Sequence, residues 1–210
     1  MPNLVLHMLT RELFLQPRDS MNVHGQHWRG VNILVIHTYF WWFTGAGYVK
    51  ILPGPFEDKV NSSIDVPPED AYRMALESML KWIEENIDTT KTRLFFNGIS
   101  ITHGSNIVWG GDHKGNCYNE TIPVEDPNYN IPTAFKKTMR IVDEVLSKPN
   151  VQITFLNITR LSNYRKDAHV SMYQKQWRNT TSKNVDCIHW CLPGVPDTWS
   201  ELLFAKLFYP

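Results

Sequence analysis

The sequence lacks any apolar run of about 18 residues or more, so we expect no membrane span within these 210 residues. It also lacks an excess of charge, because 21 Lys and Arg residues balance 21 Asp and Glu residues. Nucleic acid and anionic membrane surfaces are therefore not expected as partners. Residues 1–20 lack the basic start and uninterrupted apolar stretch of a secretion signal, so no targeting signal is expected.

Cysteine is scarce, and the three that occur are Cys117, Cys187 and Cys191. In a secreted protein this odd number leaves one cysteine unpaired or paired elsewhere. N-glycosylation acceptor triplets, by contrast, occur four times. They begin at Asn61, Asn119, Asn157 and Asn179. Together the cysteines and the triplets favour a protein of the secretory pathway.

Hydrophobic periodicity predicts strands that alternate with helices. Strands are predicted at residues 31–42, 92–101 and 150–159, the first of them buried on both faces. Helices are predicted at residues 67–87, 132–148 and 197–209. This order favours an α/β fold with a parallel sheet flanked by helices, and ligands outside the carboxyl ends of its strands.

Four polar or aromatic segments follow these strands or precede the last helix. They are residues 38–42, 100–105, 160–169 and 186–191. We expect all four to meet at one rim of the sheet, where a ligand would bind. Tryptophans at such a rim suit sugar rings, although core packing is the more common role of any single tryptophan.

Residues 185–199, "VDCIHWCLPGVPDTW", combine an Asp, a His and two Cys within six positions. One hypothesis is a zinc site formed by Cys187, His189 and Cys191 with Cys117 or His113. Zinc ligands, however, are usually spaced two to four residues apart, and an alternating set on an extended chain does not close easily on one ion. No metal is therefore predicted.

A second hypothesis makes Asp186 and His189 two members of a catalytic triad. Their spacing of three allows the carboxylate to hold one ring nitrogen while the other accepts a proton. A nucleophilic Ser would have to come from elsewhere in the protein. The third hypothesis is structural: Asp186 caps a local turn and His189 packs in a polar core.

Several segments together resemble the plant trichome-birefringence-like proteins, whose domain is also described as a PC-esterase domain. They are "TYFWW", "SITH", "WGGDHKGNCYNET", "LNIT", "YRKDAHVSMYQKQW" and "DCIHWCLPGVPDTWSELLFAKL". The resemblance covers residues 22–210 as the carboxyl-terminal part of that domain and leaves residues 1–21 as an uncertain segment. It implies an SGNH-hydrolase-like α/β fold, incomplete here because only the carboxyl half is present.

The resemblance implies an O-acetyltransferase of plant cell-wall polysaccharide in the Golgi lumen. The segment "WGGDHKGNCYNET" is most similar to the xylan-acting branch. Acetyl would pass through a Ser-His-Asp triad, with His189 as the general base and Asp186 orienting it. An acetyl donor is needed, and no bound cofactor is implied.

The family also implies a disulfide between Cys117 and Cys187, with Cys191 left unpaired in this chain. Candidate residues of the oxyanion site or the substrate rim are His37, Trp41, Trp42, Ser100, His103, Arg165 and His169. His37 stands where the family usually has Asn, which we expect to help form an oxyanion hole.

The chain departs from the family by lacking its Gly-Asp-Ser nucleophile block. The only Gly-Asp pair is Gly111-Asp112, and His113 follows it. Covalent transfer by this chain alone is therefore not expected. Alternatives are a catalytically dead truncated homologue that binds only polysaccharide or a partner, and an esterase that uses water as acceptor.

Overall fold

The structure, a computed structural model, describes residues 4–9, 12–17, 25–43, 47–51, 63–111, 114–148, 151–170, 173 and 181–209. It divides the chain into two compact units. The first unit comprises Met1–Asn97 and Lys137–Phe155, and the second comprises Gly98–Lys136 and Leu156–Pro210. The predicted sites at Asn61, His113 and Asn179 lie outside the described residues.

The described strands and helices follow one another in a mixed order. The strands are β1 (Leu4–Leu9), β2 (Glu12–Pro17), β3 (Ile33–Ile36), β4 (Val49–Ile51), β5 (Ile64–Val66), β6 (Arg93–Asn97) and β7 (Ile153–Leu156). The helices are α1 (Pro68–Asn86), α2 (Thr133–Leu146), α3 (Ile158–Asn163) and α4 (Val195–Phe208), with 3-10 helices at Phe40–Phe43 and Asn106–Trp109. None of these described helices is long and apolar enough to cross a bilayer.

Two sheets form in the described chain. One has the order β1-β2-β4-β5, with β2 parallel to β4 and the outer pairs antiparallel. The other has the order β3-β6-β7, and β3 runs parallel to β6 with Ile33 opposite Arg93. This three-stranded sheet with its flanking helices confirms the predicted α/β class.

The predicted strand at residues 31–42 is much shorter in the structure. Only Ile33–Ile36 is extended, and the aromatic residues that follow turn into the 3-10 helix Phe40–Phe43. Ile33 and Val35 are exposed, while the residues between and after them are half-buried. The prediction of burial on both faces is therefore wrong, because β3 lies at the edge of the sheet that the described residues form and is covered on one face. The predicted buried strand at residues 92–101 is observed as β6, with three consecutive buried residues.

Helix α1 supplies the largest share of the core of the first unit. Its predicted bounds, 67–87, agree with the observed Pro68–Asn86. Pro68 and the acidic Glu69 and Asp70 occupy its first turn, where a missing amide and negative charge are both favourable. The buried residues of this core are Trp42, Val49, Ala71, Tyr72, Leu76, Met79, Leu80, Trp82, Ile83, Ile87, Leu94, Phe96, Ile141, Val142, Val145 and Val151.

The second unit contains α3 and α4. Sequence periodicity predicts a strand to residue 159, but β7 ends at Leu156, and the Asn157 side chain accepts a hydrogen bond from the Arg160 amide at 3.3 Å. This cap starts α3, a helix that sequence analysis missed. Helix α4 begins at Val195, two residues before its predicted start, because Asp197 accepts from the Gly194 amide at 2.6 Å.

The close packing of Gly25 against Trp82 leads to a prediction about the stability of the first unit. An added methyl group would lie 2.1 Å from Trp82 Cζ2, and Trp82 is fully buried. We expect Gly25→Ala to lower the free energy of unfolding by about 1–3 kcal/mol through overpacking. Chemical denaturation measures this, and Gly104→Ala, which meets no atom within 4 Å, is the matched control. Equal stability of the two variants would contradict the packing described at Trp82.

Candidate functional site

Asp186 and His189 form a hydrogen-bonded pair within one turn of the second unit. Asp186 Oδ1 accepts from the amides of Ile188 and His189, both at 3.0 Å. Its other oxygen, Oδ2, lies 2.7 Å from His189 Nδ1. Because an ionised carboxylate only accepts, the proton of a neutral His189 ring is on Nδ1 and Nε2 carries the lone pair. The His189 side chain is 76% exposed, so the ring can meet a reactant.

The charge of Asp186 is stabilised within this turn. Partial burial alone would raise its pKa, but the hydrogen bonds from the His189 amide and ring and from the Ile188 amide lower it below its ordinary value. Asp186 is therefore an anion at neutral pH. Such an anion fixes the tautomer of His189 and would stabilise the imidazolium that forms when Nε2 takes a proton.

A disulfide anchors the turn that carries this pair. Cys187 is bonded to Cys117, which is the pairing that the family resemblance implies. The His103 amide donates to the Cys187 carbonyl at 3.0 Å, and the Cys117 amide donates to the His103 carbonyl at 3.1 Å. Cys191 carries a free thiol, whose pKa is raised by burial.

The disulfide bears on the metal hypothesis. It engages Cys187, which the zinc hypothesis needs as a thiolate ligand, and Cys117, which that hypothesis offers as the alternative to His113. Within the described residues, no cluster of three or more His, Cys, Asp or Glu side chains could hold a metal ion. The Asp186–His189 geometry is the one that the triad hypothesis requires, although the Asp186 oxygen also caps the turn as the structural hypothesis proposes.

His103 and His169 belong to the same unit, but they do not line a rim. Their side chains are 0% and 1% exposed, which corrects the expectation that they face a substrate. Burial in turn lowers the pKa of His169, and it lowers the pKa of His103 to about 4. One other predicted rim residue, Ser100, is hydrogen-bonded nearby. Ser100 accepts from the Trp190 indole at 2.7 Å, and Trp190 stacks on His169 with ring centres 4.2 Å apart.

Arg165 lines an open cleft of the second unit. Part of the lining of this cleft, Cys191 to Gly194, follows His189 closely in sequence. Arg165 binds Asp167 through two hydrogen bonds, each of 3.0 Å, which together with the charge of Asp167 raise its pKa. The cleft has a volume of about 540 Å³. Its lining consists of Arg165, Ala168, Val170, Tyr173, Cys191, Leu192, Pro193 and Gly194. A guanidinium beside an apolar wall suits a sugar, which presents hydroxyls and C–H faces together.

The remaining rim candidates, His37, Trp41 and Trp42, belong to the first unit. His37 and Trp41 are exposed there. Trp42 is buried in the core, packs against Tyr72 and donates to the Thr38 hydroxyl at 2.8 Å, so it cannot serve as a sugar-stacking surface. Sequence analysis missed Trp190, although its place between His189 and Cys191 gave a signal that it belongs to the site.

An Asp–His pair of this geometry on an α/β fold is the arrangement that serine-dependent acyl-transfer enzymes use. Comparison with known proteins agrees. Residues 10–206 match the model of the PC-Esterase family, a GDSL/SGNH-like acyl-esterase family found in Pmr5 and Cas1p. The chain therefore belongs to the PC-Esterase family, and the resemblance inferred from its segments is confirmed. The domain boundary predicted at residue 22 stays a prediction.

The relatives are plant proteins. The chain is 44% identical over 198 residues to "Probable xylan O-acetyltransferase 10" of Oryza sativa subsp. japonica, covering 91% of this chain and 45% of the relative. It is 36% identical over 197 residues to "Protein trichome birefringence-like 3" of Arabidopsis thaliana, covering 90% of this chain and 45% of the relative. "Xylan O-acetyltransferase 12" of Oryza sativa subsp. japonica is 35% identical over 203 residues, covering 91% and 40%. The chain thus spans somewhat less than half the length of these relatives.

The disulfide yields a second stability prediction. It closes a long loop, since its cysteines are 70 residues apart in sequence. We expect the double variant Cys117→Ala/Cys187→Ala to lose roughly 2–5 kcal/mol of unfolding free energy, measured by denaturant titration. Cys191→Ala removes a thiol without removing a cross-link and is the matched control. A double variant as stable as this control would show that the cross-link contributes nothing.

The buried His103 yields a prediction of pH dependence. An unfolded His takes up its proton near pH 6.5, whereas burial lowers the pKa of His103 to about 4. The unfolded state therefore binds the proton more readily, and stability is complete above pH 6.5 and decreases as the pH falls towards 4. About 2–3 kcal/mol should be lost through His103 between pH 7 and 4.5, as measured by denaturant unfolding.

The control for this pH dependence is His103→Gln, which keeps a polar amide side chain and does not titrate. Its unfolding free energy should change less over the same interval, with the remaining slope coming from His169, whose pKa burial also lowers. Identical slopes for the two proteins would mean that His103 is not the group responsible.

Proposed function

We propose that the protein containing this chain is an O-acetyltransferase that acetylates cell-wall polysaccharide, with xylan as the acceptor. The observation that carries the proposal is the Asp186–His189 pair, with its 2.7 Å hydrogen bond and its exposed ring. Membership of an acyl-esterase family and similarity to proteins named xylan O-acetyltransferases support the same chemistry.

In the proposed mechanism, His189 Nε2 removes the proton from a Ser hydroxyl as its oxygen attacks the carbonyl carbon of an acetyl donor. The new C–O bond makes an acetyl-Ser, and the departing donor group takes the proton back from His189. A hydroxyl of the polysaccharide then attacks the acetyl-Ser while His189 accepts its proton. The Ser oxygen leaves and recovers that proton, so the free Ser is regenerated.

The Ser of this mechanism is expected in a Gly-Asp-Ser segment, which residues 1–210 do not contain. The proposal therefore concerns the protein as it occurs in the plant. A band near twice 24.5 kDa on an immunoblot for residues 195–210 would support a longer protein that supplies the Ser. A band near 24.5 kDa would favour the alternative below.

The compartment and the donor are proposed with the activity. We place the protein in the Golgi lumen, where an oxidising environment allows the Cys117–Cys187 bond to persist. The exposed Asn119 and Asn157 begin acceptor triplets that fit glycosylation in that pathway. The donor is an activated acetyl ester or thioester of unassigned identity, and no resident cofactor is proposed.

The alternative is a homologue that binds polysaccharide or a partner without turnover. The exposed Trp41 and the cleft beside Arg165 would then act only in binding. An esterase would use the same pair with water as the acceptor. Mass spectrometry distinguishes the three functions, because they give acetylated xylo-oligosaccharide, unchanged oligosaccharide, or loss of acetyl from an acetylated one.

The catalytic prediction concerns the protein purified from plant tissue, or expressed from its natural transcript. Asp186→Asn should lower the rate of acetyl transfer to xylo-oligosaccharide by about 10⁴-fold, because the amide no longer fixes the His189 tautomer. Asp126→Asn makes the same chemical change in an exposed turn, where Asp126 accepts from the Asn128 amide, and it should keep full activity. Equal rates for the two variants would remove Asp186 from the mechanism.

A further inference from the structure

Two buried histidines lie next to the proposed catalytic pair and have no part in the chemistry above. His103 Nδ1 and His169 Nε2 are 2.7 Å apart. His169 Nδ1 lies 3.0 Å from the His189 carbonyl oxygen, and His103 Nε2 lies 3.0 Å from the Asn163 carbonyl oxygen. The two rings thus form a continuous chain of contacts from the end of α3 to the backbone of His189.

The protons of this chain can be assigned by counting donors. A carbonyl oxygen only accepts, so a ring nitrogen bonds one only if that nitrogen carries a proton. Two neutral rings hold two protons, but there are three contacts, so one contact has no proton. Protons at both carbonyl contacts would set the lone pairs of the two rings against each other at 2.7 Å. With both protons on Nδ1 the chain donates towards His189 and leaves the Asn163 carbonyl without a ring donor, and with both on Nε2 it donates towards Asn163 and leaves the His189 carbonyl without one.

Donation towards His189 would join segments that other contacts already bring together. The His189 carbonyl has one other described donor, the Val170 amide, which is distant at 3.4 Å. The Cys191 amide donates to the Ala168 carbonyl at 3.1 Å, so the segments on both sides of this contact already pair. Trp190 lies over His169 with the planes inclined by 25°, and its indole is held by Ser100.

We propose that His169 is a positioning residue for His189: its Nδ1 proton bonds the His189 carbonyl, and His103 Nδ1–H holds the ring from the opposite nitrogen. The bond fixes the backbone from which the His189 side chain projects, and hence the distance from its ring to Asp186. The role of His189 itself rests on the proposed function, whereas the hydrogen bond can be tested without turnover.

The direct test is the tautomer of His169 in the full-length, unsubstituted protein. Histidine is labelled with ¹⁵N, and the ring nitrogens are distinguished by their couplings to the ring C–H protons at pH 7.5. We expect His169 to be protonated on Nδ1 with Nε2 bearing the lone pair. The opposite tautomer, with the proton on Nε2, would overturn the proposal, because the His169 ring would then have no donor facing the His189 carbonyl.

Two variants separate positioning from mere packing. In His169→Asn the amide nitrogen lies near the place of Nδ1, and in His169→Gln it lies near the place of Nε2. We expect the Asn variant to retain the resonance of the His189 Nδ1 proton bound to Asp186, and the Gln variant to shift or lose it. Equal effects of both substitutions would indicate that the ring only fills space.

The outcomes remain informative if folding or activity fails. If neither variant folds, the tautomer of the unsubstituted protein still decides the proposal. If the spectra are as expected but no acetyl transfer occurs, the positioning bond stands and the proposed function fails. If transfer occurs but His169 carries its proton on Nε2, the function stands and the positioning role is lost.

Discussion

The covalent bond between Cys117 and Cys187 is the constraint on which the order of the second unit depends. His103 lies between the two cysteine-bearing segments and binds both through its backbone, with its amide on the Cys187 carbonyl and its carbonyl on the Cys117 amide. Asp186 precedes Cys187 directly and His189 follows two residues later. One bond therefore determines where the carboxylate and the imidazole are held, and the neighbouring backbone contacts determine their orientation.

The Asp186–His189 pair itself needs little from the rest of the fold. The carboxylate accepts two amides of its own turn and the ring three residues on, so its geometry is local. The fold contributes the anchors that hold this turn and the surface from which the ring projects. A protein family with such a local Asp–His pair can change the molecule it binds by altering the surrounding cleft, while the pair itself stays the same.

The parts of the molecule that sequence predicted well are those with local physical causes. Helix α1 was predictable from its periodic apolar face and its first-turn residues, and the Asp186–His189 contact from a spacing of three. The disulfide was not predictable from local causes, because three cysteines allow three different pairs and only the family resemblance selects one of them. The burial of His103 and His169 was also not predictable, since the carbonyls within hydrogen-bond distance of their rings come from segments remote in sequence. The edge position of β3 depends likewise on its neighbours in the sheet.

The stacking of Trp190 on His169 has an optical consequence. An excited indole is quenched more strongly by an imidazolium than by a neutral imidazole, and these two rings lie nearly parallel with centres 4.2 Å apart. The emission of Trp190 should therefore report the charge of His169, against the background of the other seven of the 8 tryptophans. The protein thus carries its own fluorescent indicator a single residue away from the ring proposed to move the proton.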